Sequence, residues 1–153
     1  MYYQFTREQK IKASIKEVWK FASTPKNLQK ITPNYMLFKI MSNNFNDSIY
    51  PGMIIAYKVA PILNIKINWV AEITQVKEYK FFVDEQRFGP YKLWHHQHFF
   101  EEKEEYVLMK DVVTYAPPYG LLGWIANKLF IKKKLDEIFN YRFNAIELYF
   151  LKY

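Results

Sequence analysis

At Pro117-Pro118 the periodicity of this chain changes, and the change leaves few folds open. Beyond it, Leu121, Ile125, Leu129, Leu135, Ile138, Phe139, Arg142, Ile146 and Tyr149 recur at three- and four-residue spacing. Lys128, Lys132, Lys133, Asp136, Asn140, Asn144 and Glu147 take the opposite side. This pattern predicts an amphipathic helix of about 30 residues, roughly 45 Å long. A helix of that length has to lie across something large, and what precedes it is a series of strands. A curved sheet cannot be sealed completely by one helix, so a cavity is expected between them.

The strands are read from two-residue alternation bounded by turn residues. Tyr2–Ile11 is the first. Ser14 with Glu17 three residues on makes a capping box, opening a short helix with Ile15, Val18, Trp19 and Ala22 on one face. Pro25 opens a second short helix through about Lys30, ended by Thr32-Pro33. Strands are then expected at Met36–Met41, Met53–Val59, Ile65–Val76, Phe81–Phe88, Leu93–Glu101 and Tyr106–Tyr115. A polar turn over Ser42–Ser48 separates the first two, and Gly89-Pro90 and Glu102–Glu105 close hairpins. Short turns between consecutive strands give an antiparallel meander. With no internal repeat or linker, residues 1–153 read as one α+β domain of six or seven strands.

Composition narrows the function. Half of the residues are hydrophobic and 20% aromatic, which suits a ring-lined cavity as well as a sheet-rich core. The absence of cysteine excludes disulfides and thiolate metal sites. No leader-like segment and no run of about 18 uncharged apolar residues is evident, so a cytoplasmic location is expected. The net charge of +7 divides unevenly, with nine Lys/Arg against three acids over residues 1–60, seven against nine over 61–120 and six against three over 121–153. The lysines are scattered instead of striped, which argues against nucleic acid as a partner. Trp124 and Phe130 lie off the expected apolar stripe. With Lys128 and Lys132–Lys134 they suit either a transient membrane-surface contact or a solvated charged face.

Candidate chemistry sits on two strands. Alternation puts Trp94, His96, His98 and Phe100 on one face of Leu93–Glu101, taken as inward, and Val107, Met109, Asp111, Val113 and Tyr115 inward on the next strand. Closing the hairpin over Glu102–Glu105 sets Glu101 opposite Tyr106, His96 opposite Asp111 and His98 opposite Met109. Opposed Cβ atoms lie about 5 Å apart, within reach of a His–Asp hydrogen bond. Asp84 or Gln86 of the preceding strand could join that network. His96, His98 and Asp111 are therefore candidate acid–base groups, groups that orient a ligand, or core residues satisfying one another. The His96-x-His98 spacing could also present two imidazoles to a metal, but no metal or cofactor is expected. The remaining candidate cavity residues are Tyr57, Trp69, Gln86, Ile125, Leu129 and Phe139. Pro117–Gly123 reads as a gate beside the cavity or as a plain turn.

The local strings carry a resemblance. Trp69, Phe82-Val83-Asp84, Gly89-Pro90-Tyr91, Trp94, His96, His98 and Phe100 resemble the strand signature of a bacterial branch of the Bet v 1/START-like superfamily, the SRPBCC proteins. Met109, Asp111, Val113, Tyr115, Pro118, Gly120 and Gly123 continue it. The closing helix, from Leu129-Phe130 through Leu135 and Ile138-Phe139 to Tyr141-Arg142, is similar too. The resemblance spans essentially the whole chain and implies a helix-grip fold. It also implies binding of a hydrophobic molecule such as a lipid, quinone or polyketide, as carrier or sensor. A polyketide cyclase or dehydratase, or a protein-interaction scaffold, are the alternatives within that group. A monomer or a homodimer through an exposed edge strand is open.

Overall fold

The structure is a computed structural model that describes residues 1–42, 48–60 and 65–151. The chain begins with strand β1 (Tyr3–Ile11), whose alternating burial places Gln9 and Ile11 in the interior. Helix α1 (Ile15–Ala22) starts at the expected capping box: the Glu17 amide donates to Ser14 Oγ, and the Ser14 amide donates to the Glu17 carboxylate at 3.0 Å. Two 3-10 segments follow, Pro25–Ile31 and Asn34–Met36. Strands β2 (Lys39–Ile40), β3 (Met53–Val59), β4 (Ile67–Lys77), β5 (Phe81–Phe88), β6 (Leu93–Glu102) and β7 (Val107–Ala116) complete the sheet.

Among the described residues, seven strands join one antiparallel sheet in the order β1-β7-β6-β5-β4-β3-β2, so β1 is an edge. Register shifts between β4 and β5 at Val70/Ala71 and Ile73/Gln75 bend the sheet. A helical run crosses its concave face: α2 (Gly120–Ala126), a π-helical turn (Asn127–Ile131) and α3 (Lys132–Leu151). The expected architecture, a curved sheet with two short helices after the first strand and a long C-terminal helix, is the one found.

Three expectations are corrected. The strand expected at Met36–Met41 shrinks to two residues. Pro33 starts a 3-10 turn that runs through Met36, and Leu37 sits in the left-handed region at φ 47°, which breaks an extended path. The turn expected over Ser42–Ser48 falls mostly on 43–47, outside the described residues.

The β6–β7 hairpin is slipped by two residues from the expected register. Its loop turns at Glu104-Glu105, with the Lys103 amide bonded to the Tyr106 carbonyl at 2.8 Å, so Glu101 opposes Leu108 and Phe100 opposes Met109. Asp111 therefore faces His98, and His96 faces Val113. A slip of two preserves the side-chain faces, so the inward sets are unchanged.

The helix stripe is also rephased. Leu121, Ile125 and Leu129 are 73%, 40% and 58% exposed, while Gly123 and Asn127 are buried in their stead. A π-helical turn carries an extra residue, which rotates everything on its N-terminal side by about 100° relative to a uniform helix. The inward line therefore runs Gly123, Asn127, the half-buried Ile131, Leu135 and Phe139 at strict four-residue steps. The anchor is close packing: a Cβ on Gly123 would lie 2.0 Å from the Pro118 carbonyl oxygen. The Tyr115 hydroxyl donates to Asn127 Oδ1 at 2.8 Å, tying the π-helical turn to β7.

Candidate functional site

Between the concave sheet and the helices lies a cavity of about 320 Å³, at the lower end of the usual range for small-molecule sites. One wall is aromatic. Tyr57 and Trp69, directly paired across β3 and β4, stack at 5.9 Å with an interplanar angle of 14°. Trp94 meets Trp69 edge-on at 5.2 Å, and Tyr91 lies 5.0 Å from Trp94. The helices supply Ile131, Leu135, Ile138 and Phe139, and the segment after α1 supplies Leu28.

On the sheet side the wall becomes polar. Direct pairing sets Asp84 opposite His96 and His98 opposite Asp111, so three adjacent strands place four titratable side chains in one patch. His98 Nε2 lies 2.8 Å from Asp84 Oδ1, and His98 Nδ1 lies 2.9 Å from Asp111 Oδ1. His96 Nε2 lies 3.0 Å from the same Asp111 oxygen, and its Nδ1 lies 3.5 Å from Asp84 Oδ1. The two imidazoles lie 3.7 Å apart, centre to centre, between the two carboxylates.

Burial divides the two histidines. At His96, burial and the charge of His98 push the imidazolium below its usual range, against the pull of Asp84 and Asp111. At His98, burial also opposes charge, but the hydrogen bonds to Asp111 and Asp84 outweigh it and the ring is held above its usual range. Burial alone would raise both acids. Asp111 is nevertheless held far below the carboxylate range by hydrogen bonds from both rings, and Asp84 is lowered by the charge of His96 and the His98 hydrogen bond. A first proton entering the patch therefore goes to His98, whose two N–H groups then each donate to a carboxylate. His96, which resists a second positive ring at this distance, donates from Nε2 only.

The sequence candidates divide in three ways. Tyr57, Trp69, Trp94, His96, His98, Met109 and Phe139 line the cavity together, with Asp84. Asp111 stands just behind the two histidines, and Val113 is fully buried behind the wall, packed in a core cluster with Tyr115, Leu135 and Phe139. The others sit elsewhere. Phe100 packs edge-on against Trp19 at 5.4 Å, beneath α1. Gln86 bridges the Gly89-Pro90 hairpin, donating from Nε2 to the Tyr91 carbonyl at 2.7 Å and accepting the Tyr91 amide. Ile125 and Leu129 face outward for the reason given above.

Sequence reasoning missed Leu28, Tyr91, Ile138 and, most usefully, Arg142, which all line the cavity. An arginine on the apolar stripe between Ile138 and Ile146 was a visible signal, since a charge seldom sits at a core position without a task. Its guanidinium lies 4.8 Å from the Phe139 ring centre and contributes to lowering Asp84. Burial holds the Tyr57 phenol well above its ordinary range, so the group stays a neutral donor. Among the described residues, two on the wall carry buried N–H groups without an acceptor, Trp69 at Nε1 and Arg142 at Nε.

Asp84, His96 and His98 each bring one ligand atom within 4.8 Å of the others, a spacing that could hold a metal ion. Doing so would require giving up the His98–Asp84 hydrogen bond, and both rings already engage Asp111. The arrangement offers proton storage and hydrogen bonding beside an apolar chamber.

No family model matches the chain, and no curated protein matches its sequence. Solved structures do match its shape. The protein TTHA0849 from Thermus thermophilus superposes with a TM-score of 0.69 at 16% identity over 98% of both chains. Ara h 8.0201 superposes at 0.64 with 16% identity over the whole of both chains. The major latex-like protein 151 of Panax ginseng gives 0.67 at 12% identity over 98% of both. At these identities the likeness shows the fold, which is the helix-grip fold of the Bet v 1-like type.

Proposed function

We propose that this helix-grip chain is a carrier or sensor that holds a hydrophobic, ring-bearing small molecule with oxygen acceptors, a quinone- or polyketide-like compound, between sheet and helix. The observation that carries the reading is the cavity itself: about 320 Å³, walled by Tyr57, Trp69, Tyr91 and Trp94 on one side and by aliphatic helix residues on the other. Flat rings gain most from such a wall, because aromatic pairs add to the burial of apolar area. The unpartnered N–H groups of Trp69 and Arg142 would each be satisfied by a carbonyl or phenolic oxygen, and a buried donor without an acceptor costs about 1–3 kcal/mol until it finds one.

A cyclase or dehydratase is the second reading, favoured by the position of His96 and His98 on the cavity wall. The hydrogen-bond pattern speaks for orientation over catalysis. Both ring nitrogens of His98, and Nε2 of His96, already face a carboxylate within 3.0 Å. The one ring nitrogen left for a general base is His96 Nδ1, which lies 3.5 Å from Asp84 Oδ1.

Tryptophan fluorescence tests the reading, since Trp69 and Trp94 form the wall. Titration with a naphthoquinone and with a flavonoid-like probe should quench emission in a saturable way, and Trp69→Phe should weaken binding. Probes that leave emission unchanged would count against the reading. Asp111→Asn and His96→Gln separate the two classes: a carrier keeps function with affinity, whereas an enzyme loses turnover while still binding.

A further inference from the structure

The rephasing of the C-terminal helix has a consequence at the surface. Leu121, Leu122, Trp124, Ile125, Leu129 and Phe130 are all 40–73% exposed, and Tyr119 just before them is 83% exposed. Isolated exposed apolar side chains are ordinary, but this many within twelve residues form one patch, and patches of that kind mark interaction sites. The charges within this segment have a single sign, and the first acids come just after it, at Asp136 and Glu137. Residues 119–135 contain Lys128, Lys132, Lys133 and Lys134 and no acid. Lys128 lies 5.5 Å from the Trp124 ring centre, so its stem crosses apolar surface while its ammonium reaches the edge of the patch.

We infer that α2 and the π-helical turn form a docking surface for an anionic lipid bilayer, lying in the interface with the apolar residues inserted and the lysines at the headgroups. The charge pattern selects this occupant. Anionic headgroups complement Lys128, Lys132 and Lys133, while Lys134 turns to the cavity side and pairs with Glu137 at 2.8 Å. A second copy meeting this patch about a two-fold axis would bring the same lysines against each other. The segment has interfacial proportions as well. From Gly120 to Ile131 it runs roughly 18 Å, and no helix among the described residues is long and apolar enough to cross a membrane. An amphipathic helix of this kind rests about 5–10 Å deep at the boundary of headgroups and acyl chains.

Docking on this face has a directional meaning. The opposite side of the same helical run contributes Ile131, Lys134 and Leu135 to the cavity wall, together with Pro118 just before it. A docked molecule would thus have one helical run shared between bilayer and cavity. The inference rests on the surface alone and is independent of what the cavity holds.

Vesicle co-sedimentation of the full chain is the test, with phosphatidylcholine vesicles with and without phosphatidylglycerol. The protein should bind the phosphatidylglycerol vesicles, with a blue shift of Trp124 emission and release at high salt. Leu122→Ala combined with Phe130→Ala should lower partitioning by about tenfold or more. Lys132→Gln combined with Lys133→Gln should lower it by about thirtyfold. These side chains are exposed, so thermal unfolding should be unchanged in both variants, and the lysine pair keeps the test valid if the apolar pair folds poorly. Absence of vesicle binding, or binding that neither pair alters, would overturn the inference. So would a concentration-dependent dimer, seen by sedimentation velocity and abolished by the same variants, in a protein that leaves vesicles unbound.

Discussion

Replacing Asp111 by Asn should remove the keystone of the polar patch while leaving its shape. Asp111 is 5% exposed and accepts from both His96 Nε2 at 3.0 Å and His98 Nδ1 at 2.9 Å. The amide can keep an oxygen where both rings bond, but it removes the negative charge and puts an NH₂ group where the second carboxylate oxygen stood. It also leaves Asp84 as the sole countercharge directly bonded to His98. Removing one partner of a buried pair costs about 3–5 kcal/mol, and the retained acceptor argues for the lower end, roughly 3 kcal/mol. For a chain of this size each kcal/mol corresponds to about 2–4 °C, so the midpoint of thermal unfolding should fall by roughly 6–12 °C. The His98 ring proton, followed by NMR, should titrate at lower pH than in the parent because its strongest partner is gone. An unchanged His98 titration with a midpoint within about 2 °C of the parent would refute the assignment of Asp111 as the group that holds both rings.

Four further outcomes follow from the geometry. His96 is depressed, so its contribution to stability is present above its ordinary value of 6.5 and is lost as pH falls below it. His98 is raised, so its contribution is present below 6.5 and is lost as pH rises through its folded value. Chemical denaturation across this range should therefore show His96→Gln flattening the acid side and His98→Gln the alkaline side. Gly123→Ala should destabilise the chain by about 2 kcal/mol or more, read by calorimetry, because its Cβ would overlap the Pro118 carbonyl. Trp69→Phe removes a buried donor that lacks an acceptor, so thermal stability should hold or rise slightly while probe affinity falls. Tyr115→Phe, which deletes the hydroxyl bound to Asn127, should cost about 1 kcal/mol and speed amide exchange in the π-helical turn.

Much of the fold was legible because the patterns that specify it are local. The alternation along Leu93–Glu102 fixes which side chains share a face, and a two-residue slip leaves that assignment intact. Register was less legible. Glu102–Glu105 and Lys103–Tyr106 are equally acceptable four-residue turns, and the sequence has no Asn-Gly or Asp-Gly there to choose between them.

The helix phase was the larger loss. A uniform 3.6-residue period selects the big apolar residues Leu121, Ile125 and Leu129, whereas the π-helical turn puts Gly123 and Asn127 inward. What decides this is long-range: Pro118 against Gly123, and Tyr115 bonded to Asn127. Neither is visible to a periodicity argument. The polar patch was partly legible, since His96, His98 and Asp111 stood on adjacent strands. The place of Asp84 opposite His96 depended on the β5–β6 register, which the Gly89-Pro90 turn obscured. Arg142 reaches the cavity from the far end of the chain, and only the assembled fold brings it there.

Native mass spectrometry of the protein purified gently from its own cells, followed by organic extraction and mass analysis, bears most directly on the claim that the cavity holds a hydrophobic molecule. A stoichiometric apolar adduct that carries rings and oxygen acceptors, and is lost in a Trp69 variant, is the expected result. An empty protein that also takes up no fatty acid, quinone or flavonoid-like probe would contradict the claim and leave His96, His98, Asp84 and Asp111 as the hydrogen-bonded core of a scaffold.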